Sequence, residues 1–159
     1  MNSEILSLYR LSRKLLYLGT DGAPVYSDEL ARLNREVWSQ ACRLSGLHGS
    51  TPDEEAFLCL TLLLAYDATL YDNGDKWERV QRLLERSLPV LEMLSPSPLK
   101  AHLLVRCYGV VFDDDLARQA HSIIDSWNLA QLTPDQQAVV SELEMFESCP
   151  RGWEDCMES

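Results

Sequence analysis

The stretch Thr51-Pro52-Asp53-Glu54-Glu55-Ala56-Phe57-Leu58-Cys59-Leu60-Thr61-Leu62-Leu63-Leu64-Ala65-Tyr66 decides the fold. Its first four residues are a capping box with proline at the first helical position, so a helix starts here. Phe57, Leu58, Leu60, Leu62, Leu63 and Leu64 then fall on every side of that helix, which is expected to reach about Tyr71. A helix without a polar face is surrounded by other helices. The segment reads as the central strut of an all-α domain.

Helix signals continue in both directions. Upstream, Ile5, Leu8, Leu11, Leu15 and Leu18 form one stripe from Ser3 to about Leu18, with Gly19 as its stop. Ser27 is expected to cap a second helix to Leu44, with Leu30, Leu33, Val37, Ala41 and Leu44 inward and Arg32, Arg35 and Arg43 outward. Downstream, Asp75 and Glu78 suggest another capping box, opening a helix to about Leu94 on a stripe of Trp77, Val80, Leu84, Leu88 and Leu91. Pro89 lies inside it and should kink or restart the helix near Ser87. Ser97 caps a helix to about Val111, Asp113 one through Trp127, and Thr133-Pro134-Asp135-Gln136 a last one to about Phe146. The spacing thus predicts one compact bundle of about six to seven helices over residues 1–147. A faint similarity between Leu63–Leu84 and Leu103–Ile124, offset by 40 residues, leaves TPR-like or HEAT-like hairpins as an alternative. Residues 148–159 lack periodicity and read as a mobile acidic tail.

Composition narrows the function. The 159 residues are 46% hydrophobic and 25% charged, with a net charge of −11. Residues 1–47 are near neutral, with six basic and five acidic side chains, so the negative charge lies downstream. Such a field disfavours nucleic acid and anionic membranes and favours a basic protein partner. Arg10, Arg13, Lys14, Arg32 and Arg35 are interleaved with Glu29 and Glu36, so direct nucleic-acid binding is not expected. The five cysteines form no CxxC pair, which fits a reducing, cytoplasmic setting. The longest apolar run, Ala56 to Tyr66, is too short for a bilayer, which needs roughly 20 residues.

Motifs for chemistry are scarce. The chain has no phosphate loop, GxSxG elbow, HExxH or paired-cysteine metal motif, and three histidines. His102 sits in an apolar helix and reads as a satisfied core histidine. Asp114, Arg118, His121 and Asp125 share one helical stripe on which a metal is conceivable, but Arg118 in its middle opposes a cation, and i,i+4 ion pairs explain the pattern. No catalytic residue, cofactor or metal is therefore expected. The candidate partner-binding residues are Tyr17, Thr20, Asp21, Gly22 and Tyr26, in a loop where turn chemistry meets two tyrosines, together with the acidic Asp72, Asp75, Asp113, Asp114 and Asp115. Packed tyrosines and helix caps are the plainer readings of the same residues.

Several segments resemble a known family. Leu15-Leu16-Tyr17-Leu18-Gly19-Thr20-Asp21-Gly22, then Tyr26-Ser27-Asp28, Leu33-Asn34, Glu54-Glu55-Ala56, Leu58-Cys59-Leu60, Asp67-Ala68-Thr69, Asn73-Gly74-Asp75-Lys76, Cys107-Tyr108-Gly109 and Ala120-His121-Ser122-Ile123-Ile124 are similar to the UpxZ-type transcription antitermination antagonists of capsular polysaccharide operons in gut anaerobes. The resemblance spans residues 5 to about 127. It implies a regulator that represses non-cognate capsule operons by interfering with their NusG-like antiterminators, and it brings no catalytic residues. A basic surface on the antiterminator would be the partner, with no membrane, no direct nucleic-acid contact and no predicted homo-oligomer. The alternatives are a TPR-like adaptor for another protein or peptide, or a metal-dependent enzyme built on His121, Asp114 and Asp125.

Overall fold

A computed structural model describes residues 2–70 and 74–148. Among these residues the chain forms seven α-helices and no strand: α1 (Ser3–Leu16), α2 (Ser27–Leu44), α3 (Pro52–Ala68), α4 (Lys76–Met93), α5 (Pro98–Val111), α6 (Asp114–Ile124) and α7 (Pro134–Ser148). It divides into two compact units, with the boundary between Val90 and Leu91, inside α4.

The first unit is built around α3. Every residue from Leu58 to Tyr66 is buried. α1 packs on α3 through Ile5, Leu8 and Leu15, and α2 through Leu33, Val37, Ala41 and Leu44. Each such leucine contributes about 1.5–3 kcal/mol when withdrawn from water. Tyr9 and Phe57 stack at 5.1 Å between α1 and α3, and Trp38 meets Tyr66 edge-on at 5.4 Å between α2 and α3. The α2–α3 connection is tight: a Cβ on Gly49 would lie 2.2 Å from the Glu55 amide nitrogen, so a side chain has no room there. Polar bonds fix the other end of α3. Asn34, buried on α2, accepts from the Leu70 N–H at 2.7 Å, and Lys76 donates to the Thr69 carbonyl at 2.5 Å.

The second unit is built around α5, whose residues Ala101 to Tyr108 are all buried. α6 covers it with Leu116, Ala117, Ala120, Ile123 and Ile124, and α7 with Val139 and Leu143. α5 ends on Phe112 in the left-handed conformation (φ +53°), rare for a bulky side chain. Its ring lies edge-on to Tyr108 at 5.3 Å, and the abrupt stop lets α6 begin two residues later.

Caps account for most helix starts. Thr51 Oγ1 accepts from Glu54 N at 3.1 Å, while the Glu54 carboxylate reaches back to Ser50 N at 3.0 Å. Ser97 accepts from Lys100 N, Asp113 from Asp115 N, and Thr133 and Gln136 exchange reciprocal bonds. Two expected caps differ. Tyr26, not Ser27, holds the capping position of α2 and forms no side-chain cap. Asp75 and Glu78 do not form a box, because the Asp75 carboxylate is drawn instead to the Arg79 side chain at 2.9 Å.

Three further expectations need correction. α4 runs through Pro89 without a break. Pro89 and Glu85 are both exposed, so the carbonyl left without its i+4 donor has water available. Trp77 and Leu88 do not join the inward stripe; they are 63% and 48% exposed, while Leu83, Leu84 and Ser87 face the core. α1 and α3 also stop short of Leu18 and Tyr71, at Leu16 and Ala68. The anticipated tail beyond Ser148 lies outside the described residues.

Candidate functional site

The Thr20–Tyr26 loop is a folded turn, not a loose connection. Tyr17 caps α1 with its N–H on the Arg13 carbonyl. Two successive tight turns follow, Thr20 N to Tyr17 O at 3.1 Å and Gly22 N to Gly19 O at 3.2 Å. Gly19 and Gly22 take φ of +86° and +82°, values that glycine adopts at no steric cost. Thr20 Oγ1 donates to the Tyr17 carbonyl at 2.7 Å, and Asp21 accepts from Ala23 N at 3.0 Å. Val25 folds back onto Gly19, where a Cβ would meet it at 2.8 Å. Arg13 sits over the rings of Tyr9 and Tyr17, at 5.7 and 5.8 Å, which holds the Tyr17 ring in place. The loop therefore presents Val25 and Tyr26 on a rigid base, with Tyr26 66% exposed.

Asp75 is in a different situation. Half-buried, it is tied to Arg79, which also donates to the Tyr66 hydroxyl and lies over Trp38 at 6.0 Å. Its carboxylate serves the interior of the first unit. Asp72 lies outside the described residues.

Asp113, Asp114 and Asp115 open α6 in the second unit and are all exposed. Asp113 is the cap, and Asp115 bonds Arg118 at 3.0 Å and Gln119 at 2.8 Å. The Asp114 side chain forms no hydrogen bond or ion pair among the described residues. His121 shares the α6 stripe with Asp114 and Arg118 but pairs with neither acid of that stripe; its Nε2 meets Glu147 Oε1 at 2.7 Å. Among the described residues no group of three His, Cys, Asp or Glu side chains is placed to hold a metal.

Sequence reasoning found His102 but missed its partners. His102 Nε2 donates to Glu142 Oε2 at 2.8 Å, and Arg106 Nη2 pairs with Glu142 Oε1, all three side chains being buried. Burial alone would raise the Glu142 carboxyl, but His102 and Arg106 hold it below its ordinary value. Arg106 also lies over Phe146 at 5.4 Å. The signal was present: His102 and Arg106 are four apart on an apolar helix, a spacing that puts two donors on one buried face and demands an acid. The cluster is a buried lock between α5 and α7.

Charge is uneven between the units. Residues 1–90 carry ten basic and thirteen acidic side chains, and residues 91–159 carry four and twelve. The second unit thus holds −8 of the net −11.

The UpxZ family of transcription anti-terminator antagonists matches over residues 5–109. The chain belongs to the UpxZ family. Among solved structures, a transcription anti-terminator antagonist UpxZ from Bacteroides uniformis ATCC 8492 is similar, with a TM-score of 0.87 and 40% identity over 96% of this chain and 95% of that one. No curated protein matches. The UpxZ match covers the first unit and α5 to Gly109, so it takes in the Tyr17–Tyr26 loop but not the Asp113–Asp115 cluster. No helix among the described residues is long and apolar enough to cross a membrane.

Proposed function

We propose that this chain is a cytoplasmic regulator that binds NusG-like antitermination proteins and thereby represses non-cognate capsular polysaccharide operons, without catalysing a reaction. Membership of a family of transcription anti-terminator antagonists carries the reading. The charge distribution supports a mechanism. An exposed acidic face on the second unit attracts a basic antiterminator surface and speeds encounter, while packed contacts set the lifetime of the complex.

Two surfaces are assigned to that contact. Asp113, Asp114 and Asp115 supply the field, and the Tyr17–Tyr26 loop, with Thr20, Asp21 and Gly22 shaping it, supplies an aromatic anchor in Tyr26. Antagonism then consists of occupying the surface that the antiterminator presents to polymerase or nucleic acid.

Co-purification tests this directly. Tagged chain mixed with purified NusG-like antiterminators from its own and from foreign capsule operons should retain the foreign ones preferentially. Failure to retain any, at low salt and micromolar concentration, removes the proposal. Binding that ignores salt between roughly 50 and 500 mM would keep the partner but remove the electrostatic step.

A further inference from the structure

We propose that the cavity lined by Ser45, Tyr66, Arg79, Arg82, Leu83 and Arg86 in the first unit is an oxyanion-binding site, with Arg82 as the cation that contacts the ligand. The cavity measures about 100 Å³, the space of about three water molecules and enough for the head of a phosphate or carboxylate group.

Three arginines on one stripe of α4 form its charged wall, spaced three and four residues apart so that all face the same way. The outer two are anchored. Arg79 is held by Asp75 and the Tyr66 hydroxyl. Arg86 makes a two-point bond to Glu55, Nε to Oε2 and Nη2 to Oε1, each at 2.8 Å, and also donates to the carbonyls of Ser45 and Leu47. The exposed side chain of Arg82, between them, has no hydrogen bond, ion pair or ring contact among the described residues, although the chain as a whole carries −11. Glu78 and Glu85, a turn away on either side, are exposed and do not pair with it.

The local charge balance decides the ligand class. Asp75 pairs with Arg79 and Glu55 with Arg86, so Arg82 is the one guanidinium of the wall without a bonded carboxylate among the described residues. Its planar fork of N–H donors matches the geometry of carboxylate and phosphate oxygens. Anchored neighbours fix the shape of the cavity beforehand, so a bound oxyanion costs little reorganisation. The hydroxyls of Ser45 and Tyr66 add polar atoms to the lining, beside the apolar side chain of Leu83.

The test uses the full chain and two probes, inorganic phosphate and acetate, each exchanged for chloride at constant ionic strength while thermal unfolding is followed. Saturable stabilisation by at least one probe is expected, and which probe saturates identifies a phosphate-bearing or a carboxylate ligand. Arg82→Gln should weaken the saturating interaction about tenfold, the loss expected for one charge-assisted contact, while R82K should fall between. R35Q, which removes another exposed arginine without a partner, should leave it unchanged. Arg82 holds nothing in place, so R82Q should match the parent in far-UV circular dichroism. Saturation by neither probe, or an equal response in R82Q, overturns the site; so does an equal loss in R35Q, which would mark diffuse surface charge.

Discussion

His102 Nε2 and Glu142 Oε2 meet at 2.8 Å in the interior of the second unit, joining α5 to α7 where both side chains are all but excluded from water. Breaking such a pair from one side strands a polar group in the core. Glu142→Ala should therefore lower stability by about 3–5 kcal/mol, since His102 and Arg106 both lose the buried Glu142 carboxylate. Urea titration measures it; a loss below 1 kcal/mol would mean that water replaces the carboxylate. The sign with pH is fixed by the lowered Glu142 carboxyl. Its contribution is complete above the unfolded value of 4.5 and declines as pH falls below it.

Glu55 makes a sharper pH prediction. Arg86 holds its carboxyl down to about 2, against the opposing effect of burial, with help from Gly49 N–H and His48. Stability from this group is present above pH 4.5 and should fall away between there and about 2. Replacing Glu55 by Gln should flatten that part of the acid unfolding curve and cost about 3 kcal/mol at neutral pH. An unchanged acid limb in E55Q would show that other carboxylates govern it.

Gly49 is the tightest approach in the first unit, and the atoms it faces are backbone. Gly49→Ala should destabilise by about 2 kcal/mol, because the start of α3 cannot swing aside as a side chain can. Chemical denaturation reads this, and the parent midpoint in G49A would show that the connection relaxes freely.

Asp114 is the cleanest probe of the acidic face, since Asp113 is a cap and Asp115 is already bonded. Asp114→Lys should weaken antiterminator binding about three- to tenfold, mainly through a slower association rate, and shift the unfolding midpoint little. Tyr26→Ala should act instead on dissociation, by about tenfold, if its ring is an anchor. Surface plasmon resonance separates the two rates. Parent kinetics for both variants would place the contact elsewhere.

Much of the fold was legible because its signals are local. Thr51, Ser97, Asp113 and Thr133 begin helices through bonds to residues two or three positions away, so the linear text contains both partners. What escaped depends on partners distant in sequence. Glu142 looks like a surface residue until α7 lies against α5, and Asn34 gains its meaning only beside Leu70, 36 positions on. Trp77 misled in the opposite direction, for hydrophobicity predicted burial and position on the helix left it outside. The candidate loop was found from its turn residues, but Arg13 as the clamp on Tyr17 was not, because ring contacts leave no periodic trace. The arginine stripe was unread for a related reason: Arg79 and Arg86 look like a solvated face until Tyr66 and Glu55 are seen beneath them.

Enclosure of α3 places a limit on how such regulators can diverge. From Leu58 through Ala65 the helix is enclosed by its own neighbours, so an exchange there reaches a visiting protein only through damage to the fold. Differences in target preference between relatives must be written on the outward sides of the other helices and in the turns joining them. A chimera that transplants this inner rod alone should inherit its donor's melting behaviour and keep its host's choice of operon.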